Sequence, residues 1–341
     1  MGFRKGRQYA ITWCKKAENY SYVKALECYD EAIKRDSTFA KPWYEKGRIF
    51  ADTPELPENW MWHDTISPYI TGIKPPPYPE VGSQTASKYR ETLKMFDKAT
   101  ELDPKSVNTW FAKGNFYWKH TNGERDAIQC LSNAIALDSK FEPAWFVKAQ
   151  ALGSLGKHEE SLKCYDEAIA LLPTDAKEKR YDEHGRYYFF DRWYGKAYLL
   201  SELGRHEEAL KCYDKALEIC PLRAELLERP LSKKGITLAK LGRHEEALKC
   251  YDEATKEVNY RRSDLDPVEM DLAKADALSE LGKQYEKMLK CYSDAISICA
   301  KELVDGKMEG DLWEKGVKKL QEICSQAING SKKYDSKIID E

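Results

Sequence analysis

Residues Gly204–Pro221 read GRHEEALKCYDKALEICP, and this string decides the fold because the chain repeats it. Gly156–Pro173 reads GKHEESLKCYDEAIALLP, and Gly242–Val258 reads GRHEEALKCYDEATKEV. Fainter copies begin at Tyr20 (YSYVKALECYDEAIKRD), Gly123 (GERDAIQCLSNAIALD) and Gly282 (GKQYEKMLKCYSDAISIC), and a truncated one, TLKMFDKATELDP, at Thr92. Within the string, apolar residues fall at i, i+3, i+4 and i+7, the period of an amphipathic helix. Gly204 ends the preceding helix and turns the chain without a Cβ penalty. Ala209 and Ala216 allow close helix approach, and Tyr213 fills the space between them. Glu207 and Lys211 form a favourable i, i+4 pair worth a few tenths of a kcal/mol.

Ahead of each copy lies a second helical pattern, usually with an aromatic near its start: KPWYEKGRIF, NTWFAKGNFYW, PAWFVKAQALGSL and DRWYGKAYLLSEL. The anchors Tyr9, Trp43, Trp110, Trp145, Trp193, Leu231 and Asp271 are spaced by 34, 67, 35, 48, 38 and 40 residues, a 34-residue unit with insertions. A lone hairpin of this kind cannot bury its apolar stripe, whereas stacked hairpins bury it against their neighbours. The usual domain size of roughly 150 residues therefore does not set the domain count of this 341-residue chain.

The pattern resembles the tetratricopeptide repeat (TPR) family. The residues that carry the resemblance are Trp145, Ala149, Gly156, Ser161, Tyr165, Ala168 and Pro173 in the fourth repeat, and Trp193, Ala197, Gly204, Ala209, Tyr213, Ala216 and Pro221 in the fifth. The resemblance implies an all-α fold, a right-handed superhelical solenoid of about seven hairpins running from Arg4 to Ile328. A C-terminal capping helix (DLWEKGVKKLQEICSQAING) and a frayed tail over 329–341 complete it.

Composition removes several function classes. Lys and Arg total 55 against 57 Asp and Glu, for a formal net charge of −2, which argues against a nucleic-acid module. Arg186, Arg192, Arg229, Arg261 and Arg262 are the residues that would carry RNA contact if they shared an edge. Charged residues make up 33% and aromatics 12%, and mean hydropathy is −0.69, a balance that suits many amphipathic helices rather than disorder. The sequence has no apolar run near the roughly 18 residues of a membrane span. MGFRKGRQYAITWCKK has no apolar signal core, and Gly6 stands where a myristoylation signal wants Ser or Thr. A soluble, cytoplasmic protein is expected.

Catalytic and metal motifs are missing too. The ten cysteines include no CxxC, and Cys28, Cys130, Cys164, Cys212, Cys250 and Cys291 share one repeat position, as core residues copied with the repeat would. His158, His206 and His244 share a turn position, each followed by Glu-Glu that complements the helix dipole. With no HExxH, Walker loop, nucleophile elbow or kinase set, no enzyme activity, cofactor or metal is expected.

Function is then expected on the binding surface. The family's ligand-facing positions lie on the first helix of each hairpin. On this chain they select Lys41, Tyr44 and Arg48; Asn108, Phe111, Asn115 and Trp118; Phe146 and Gln150; Asp191, Tyr194 and Tyr198; and Arg229, Ser232 and Ile236. The aromatics Tyr44, Phe111, Phe146 and Tyr194 recur at one position, with Asn115 and Gln150 a turn further on. This is a set suited to an extended peptide, whose side chains pack on rings and whose backbone pairs with amides. Helix–helix packing is the alternative for these rings. Tyr44, Arg48, Phe111, Asn115, Trp118, Phe146, Gln150, Tyr194 and Tyr198 are the expected peptide contacts. The family's carboxylate clamp for acidic chaperone C-termini is absent: Phe111, Val147, Asp191 and Gly195 stand where its Lys, Asn and basic pair belong. The expected role is a non-enzymatic adaptor for a protein or peptide partner; a self-associating scaffold is the alternative, and RNA binding a distant third.

Two insertions interrupt the array. Asp52–Ser87 lies inside the second repeat; it is rich in proline and carries Trp60, Trp62, Tyr69 and Tyr78 as candidate contacts. It could fold onto the solenoid, bind a partner or be disordered. Thr174–Phe190 lies between the fourth and fifth repeats; its aromatic end is expected to lengthen the next helix.

Overall fold

The structure, a computed structural model, describes residues 2–20, 22–52, 84–121, 123–172, 183–219, 224–256 and 267–281, together with 287–288, 290–294, 297, 325, 328–329 and 332. The chain divides into two units, Met1–Pro173 and Thr174–Glu341. Both are helical, and no strand occurs among the described residues.

The first unit holds α1 (Gly2–Ala17), α2 (Tyr22–Arg35), α3 (Ala40–Asp52), α4 (Gln84–Leu102), α5 (Val107–His120), α6 (Glu124–Leu137), α7 (Glu142–Ser154) and α8 (His158–Ala170). Each odd-numbered helix packs chiefly on the even-numbered helix after it, and each pair then packs on the next. The insertion inside the second repeat leaves this pairing intact, since α3 and α4 pack together as closely as the other pairs. Helix α4 starts at Gln84, so 84–87 belong to the hairpin rather than to the insertion. Trp60, Trp62, Tyr69 and Tyr78 lie outside the described residues.

The second unit holds α9 (Glu183–Glu202), α10 (His206–Ile219), α11 (Ala224–Lys240), α12 (His244–Lys256) and α13 (Pro267–Leu281), paired in the same way. The aromatic end of the second insertion lengthens α9 to 20 residues, and Phe190 stacks on Tyr194 with ring centroids 5.5 Å apart. The capping helix and tail expected beyond α13 lie outside the described residues, apart from isolated positions.

The turns inside the α7–α8, α9–α10 and α11–α12 hairpins follow from a glycine. Gly156, Gly204 and Gly242 take φ of 73°, 74° and 75°. Added Cβ atoms there would meet nothing within 4 Å, so backbone conformation rather than space requires glycine. The following amides close the helix ends: Lys157, Arg205 and Arg243 donate to the carbonyls of Leu152, Leu200 and Leu238 at 3.0, 2.9 and 2.9 Å.

The turn between hairpins follows from an aspartate and a tryptophan seven residues on. Asp36, Asp103 and Asp138 accept the amides of Thr38, Lys105 and Lys140 at 3.0, 3.2 and 2.9 Å, forming Asx turns. The indole N–H groups of Trp43, Trp110 and Trp145 donate to the carbonyls of Ser37, Pro104 and Ser139 at 3.1, 2.9 and 2.9 Å. The anchor tryptophan thus ties the α3–α4, α5–α6 and α7–α8 hairpins to the turns leading into them.

The core is the repeat read across hairpins. Tyr29, Phe96, Leu131, Tyr165, Tyr213, Tyr251 and Tyr292 are buried at one equivalent position, and Ala32, Ala99, Ala134, Ala168, Ala216 and Ala254 lie fully covered one turn on. Cys28, Cys130, Cys164, Cys212, Cys250 and Cys291 are buried free thiols, and burial raises the pKa of Cys130 and Cys291 to about 11. Adjacent hairpins are joined by a recurring ion pair: Lys46–Asp30 and Lys113–Asp97 in the first unit, Lys234–Asp214 and Lys274–Asp252 in the second, at 2.5 to 2.7 Å. No described helix is long and apolar enough to cross a membrane.

Candidate peptide-binding face

The odd-numbered helices of the first unit carry most of the expected contacts. The face begins where α1, α3 and α5 meet. An open cleft of about 480 Å³ lies there, bordered by Arg7, Lys41, Tyr44, Glu45 and Asn108. Tyr44 is half-buried, and burial pushes its hydroxyl pKa up. Phe111 is half-buried as well, meeting Phe141 edge-on with centroids 5.2 Å apart. Asn115, one turn along α5, is half-buried.

The cations of this face are held by the chain's own acids. Arg7 donates to the buried Asp36, whose carboxyl burial alone would raise; hydrogen bonds from Thr38 and Arg7 outweigh that and hold it low. Lys41 meets Glu18 at 2.8 Å. Arg48 is exposed and spans Glu45 at 3.1 Å and Asp52 at 3.5 Å. Arg7 was not among the expected contacts. Counting from the anchor Tyr9, it occupies the same helix position as Lys41 does relative to Trp43, so the positional rule selects it once carried to the first repeat.

Four of the expected contacts are covered by their own chain. Trp118 and Gln150 are buried. Phe146 is buried against Tyr165 of α8, edge-on at 6.1 Å, and Tyr194 lies between Phe190 and Tyr213 of α10. In these two hairpins the second-helix tyrosine reaches the ring, which is the packing arrangement. Tyr198 of α9 is half-buried. Asp191 and Arg192 are buried, which places Arg192 away from any exposed basic edge; the other arginines of that set lie outside the described side chains.

Two titratable groups have displaced pKa values. His120, at the end of α5, sits among Phe116 and Tyr89 at 4.9 and 5.8 Å, and burial lowers its pKa to about 4, helped by Lys119 and Lys88. Asp271 takes the anchor position in α13; burial, then the charge of Asp294, raises it to about 6 against the opposing pull of Lys274. Among the described residues, no group of three or more His, Cys, Asp or Glu is placed to hold a metal.

A hydroxyl network not legible in the sequence ties three helices of the second unit. Ser201 of α9 and Thr237 of α11 are 2.9 Å apart; Thr237 donates to the Lys233 carbonyl at 2.8 Å; and Tyr213 of α10 hydrogen-bonds Thr237.

Family models for the tetratricopeptide repeat match residues 143–175 and 192–256, the α7–α8 hairpin and the stretch from α9 through α12. The chain carries tetratricopeptide repeats. The TPR chain is similar to superkiller protein 3 of Saccharomyces cerevisiae, 26% identical over 166 residues, which is 45% of this chain and 11% of that protein. The matched stretch thus spans about a tenth of the relative's length. Among solved structures, it resembles a tetratricopeptide repeat protein from Parabacteroides merdae (11% identity, TM-score 0.50, 94% of this chain and 99% of that one). Others are YrrB, described as a TPR protein with an unusual peptide-binding site (16%, 0.46, 68% and 92%), and MamA from Desulfovibrio magneticus RS-1 (15%, 0.44, 64% and 97%). At these identities the likeness concerns the fold.

Proposed function

We propose that this TPR chain is a protein-interaction scaffold, with a binding rather than a catalytic role, and that an extended, largely uncharged peptide segment binds along α1, α3 and α5. The observation that carries the reading is the cleft where these helices meet, lined by half-open Tyr44 and by Asn108, with half-buried Phe111 and Asn115 further along α5. Rings of this kind pack side chains of an extended segment, and amides pair with its backbone. The balance of charge supports the uncharged class: Arg7, Lys41 and Arg48 are engaged by Asp36, Glu18, Glu45 and Asp52, so an acidic ligand would have to displace them.

The test is a peptide-display selection on the intact chain, followed by calorimetric titration of a selected peptide. Tyr44→Ala and Phe111→Ala are each expected to weaken binding by at least about tenfold, as truncation of a central interface aromatic does. Unchanged affinity in both variants would overturn the reading.

A further inference from the structure

The cleft where α1, α3 and α5 meet holds one acid that the chain does not neutralise. Arg7, Lys41, Glu45 and Asp103 are the charged groups that border it. Arg7 is held by Asp36, and Lys41 by Glu18 at 2.8 Å. Glu45 draws on Arg48, which Asp52 shares. Asp103 is exposed; its carboxylate accepts the Lys105 amide at 3.2 Å and meets no cation among the described residues.

The repeat shows what belongs beside this acid. Asp36 and Asp103 share one position, seven residues before the anchors Trp43 and Trp110. Arg7 and Lys41 share another, two residues before the anchors Tyr9 and Trp43. At the first turn the pair closes. Arg7 donates from Nε to Asp36, and from Nη2 to the carbonyl and the hydroxyl of Thr38, each at 3.3 Å. A planar guanidinium serves a carboxylate and a carbonyl together, whereas an ammonium is a point charge without that fork. At the second turn the pair is open, since Lys41 turns back to Glu18, 23 residues earlier. The Lys105 carbonyl matches that of Thr38 there.

The second turn is braced before anything binds. Ser106 donates its amide to the Asp103 carbonyl at 3.2 Å, and the Trp110 indole holds the Pro104 carbonyl at 2.9 Å. A carboxylate on a turn held in this way costs little further ordering when a ligand arrives. Tyr44, which lines the same cleft, offers a half-open ring to the side chain of a cation.

We propose that Asp103 receives an arginine of the bound segment, which takes at the second turn the place that Arg7 takes at the first. The inference rests on the reading of this cleft as a peptide site. It narrows the ligand from a largely uncharged segment to one that carries an arginine where it passes the turn between α4 and α5.

Peptide-display selection on the intact chain, followed by calorimetric titration of a selected peptide, tests this. An arginine is expected to recur at a fixed place among the selected peptides. Replacing it by citrulline, which keeps the shape and removes the charge, is expected to weaken binding at least about fivefold. Asp103→Asn keeps an acceptor for the Lys105 amide and removes the charge. It is expected to cost as much and to erase the difference between the arginine and citrulline peptides. Asp138→Asn, the matching change at the next turn, is expected to leave affinity unchanged. Glu18→Gln releases Lys41 toward Asp103, and is expected to weaken the arginine peptide but not the citrulline one. Far-UV circular dichroism checks that each variant stays helical. Selected peptides without arginine, or an arginine peptide indifferent to Asp103→Asn, overturn the proposal; if Tyr44→Ala and Phe111→Ala still weaken those peptides, the peptide-binding reading stands without it. An arginine peptide sensitive to Asp103→Asn yet indifferent to Tyr44→Ala and Phe111→Ala supports the contact and overturns that reading instead. A selection that yields no peptide overturns both. So does self-association in sedimentation velocity that Asp103→Asn abolishes and no selected peptide displaces, which reassigns the carboxylate to a second copy.

Discussion

Single residues set the turns of this chain. Gly204 illustrates the first kind: its φ of 74° is a conformation that L side chains reach only with strain, although open space surrounds it. Gly204→Ala is expected to cost about 1–2 kcal/mol, measured as a drop in urea midpoint of the second unit, and Gly204→Asn less. Gly235 is required for the other reason. A Cβ there would stand 2.4 Å from the Tyr251 ring, so the glycine serves close approach between α11 and α12. Trp110 illustrates the turn between hairpins. Trp110→Phe keeps most of the ring and removes the N–H that holds the Pro104 carbonyl, an expected loss of about 1 kcal/mol. Hydrogen exchange of the 103–109 amides would register it as faster opening.

Pairs of helices are held by two devices of unequal weight. The Lys–Asp pair between hairpins recurs in both units, yet its aspartates are about half exposed. Water screens such pairs, so Lys234→Met is expected to change stability by under about 1 kcal/mol in thermal melts. The hydroxyl network is buried and behaves differently. Thr237 is fully covered and serves both Ser201 and Tyr213. Thr237→Val would leave those hydroxyls without their shared partner, at an expected cost of about 2–3 kcal/mol, and Thr237→Ser would recover most of it. The pairing of α3 with α4 shows that packing, not loop length, defines a hairpin. The entropic cost of bringing two helices together grows only slowly with the length of chain between them.

Across the whole molecule, pH acts on the two units in opposite directions. His120 in the first unit has its pKa lowered to about 4 by burial. The unfolded chain therefore binds a proton that the folded unit refuses, and stability present above roughly pH 6.5 is lost as pH falls toward 4. Asp271 in the second unit is raised to about 6, so its contribution is fully present below the ordinary carboxylate range and lost as pH rises through 6. Hydrogen exchange between pH 6.5 and 4.5, corrected for intrinsic rates, is expected to show α4–α5 amides losing protection relative to those of α12–α13. His120→Gln is expected to flatten the first response and Asp271→Asn the second.

The fold was legible in the amino-acid sequence because a repeat declares itself many times. GRHEEALKCYDKALEICP and its copies fix helix period, turn glycine and core aromatic in one string, and local physics alone then gives hairpins that must stack. The lengthening of α9 by the second insertion was legible for the same reason, since its aromatics continue a helical pattern. The candidate site was legible only in part. Position along a helix is a local property, so the sequence could mark Tyr44, Phe111 and Arg48 as candidates. Whether a ring at that position stays open depends on what the neighbouring helix sends toward it. Tyr165 covers Phe146 and Tyr213 covers Tyr194, while Tyr44 and Phe111 keep an open side. Likewise, the sequence determined that Arg7, Lys41 and Arg48 are cations, but tertiary structure decided that each is held by an acid, in two cases from a turn distant in sequence. Periodicity is written in the order of residues; exposure and pairing are written in the distances between helices, which only the folded chain sets.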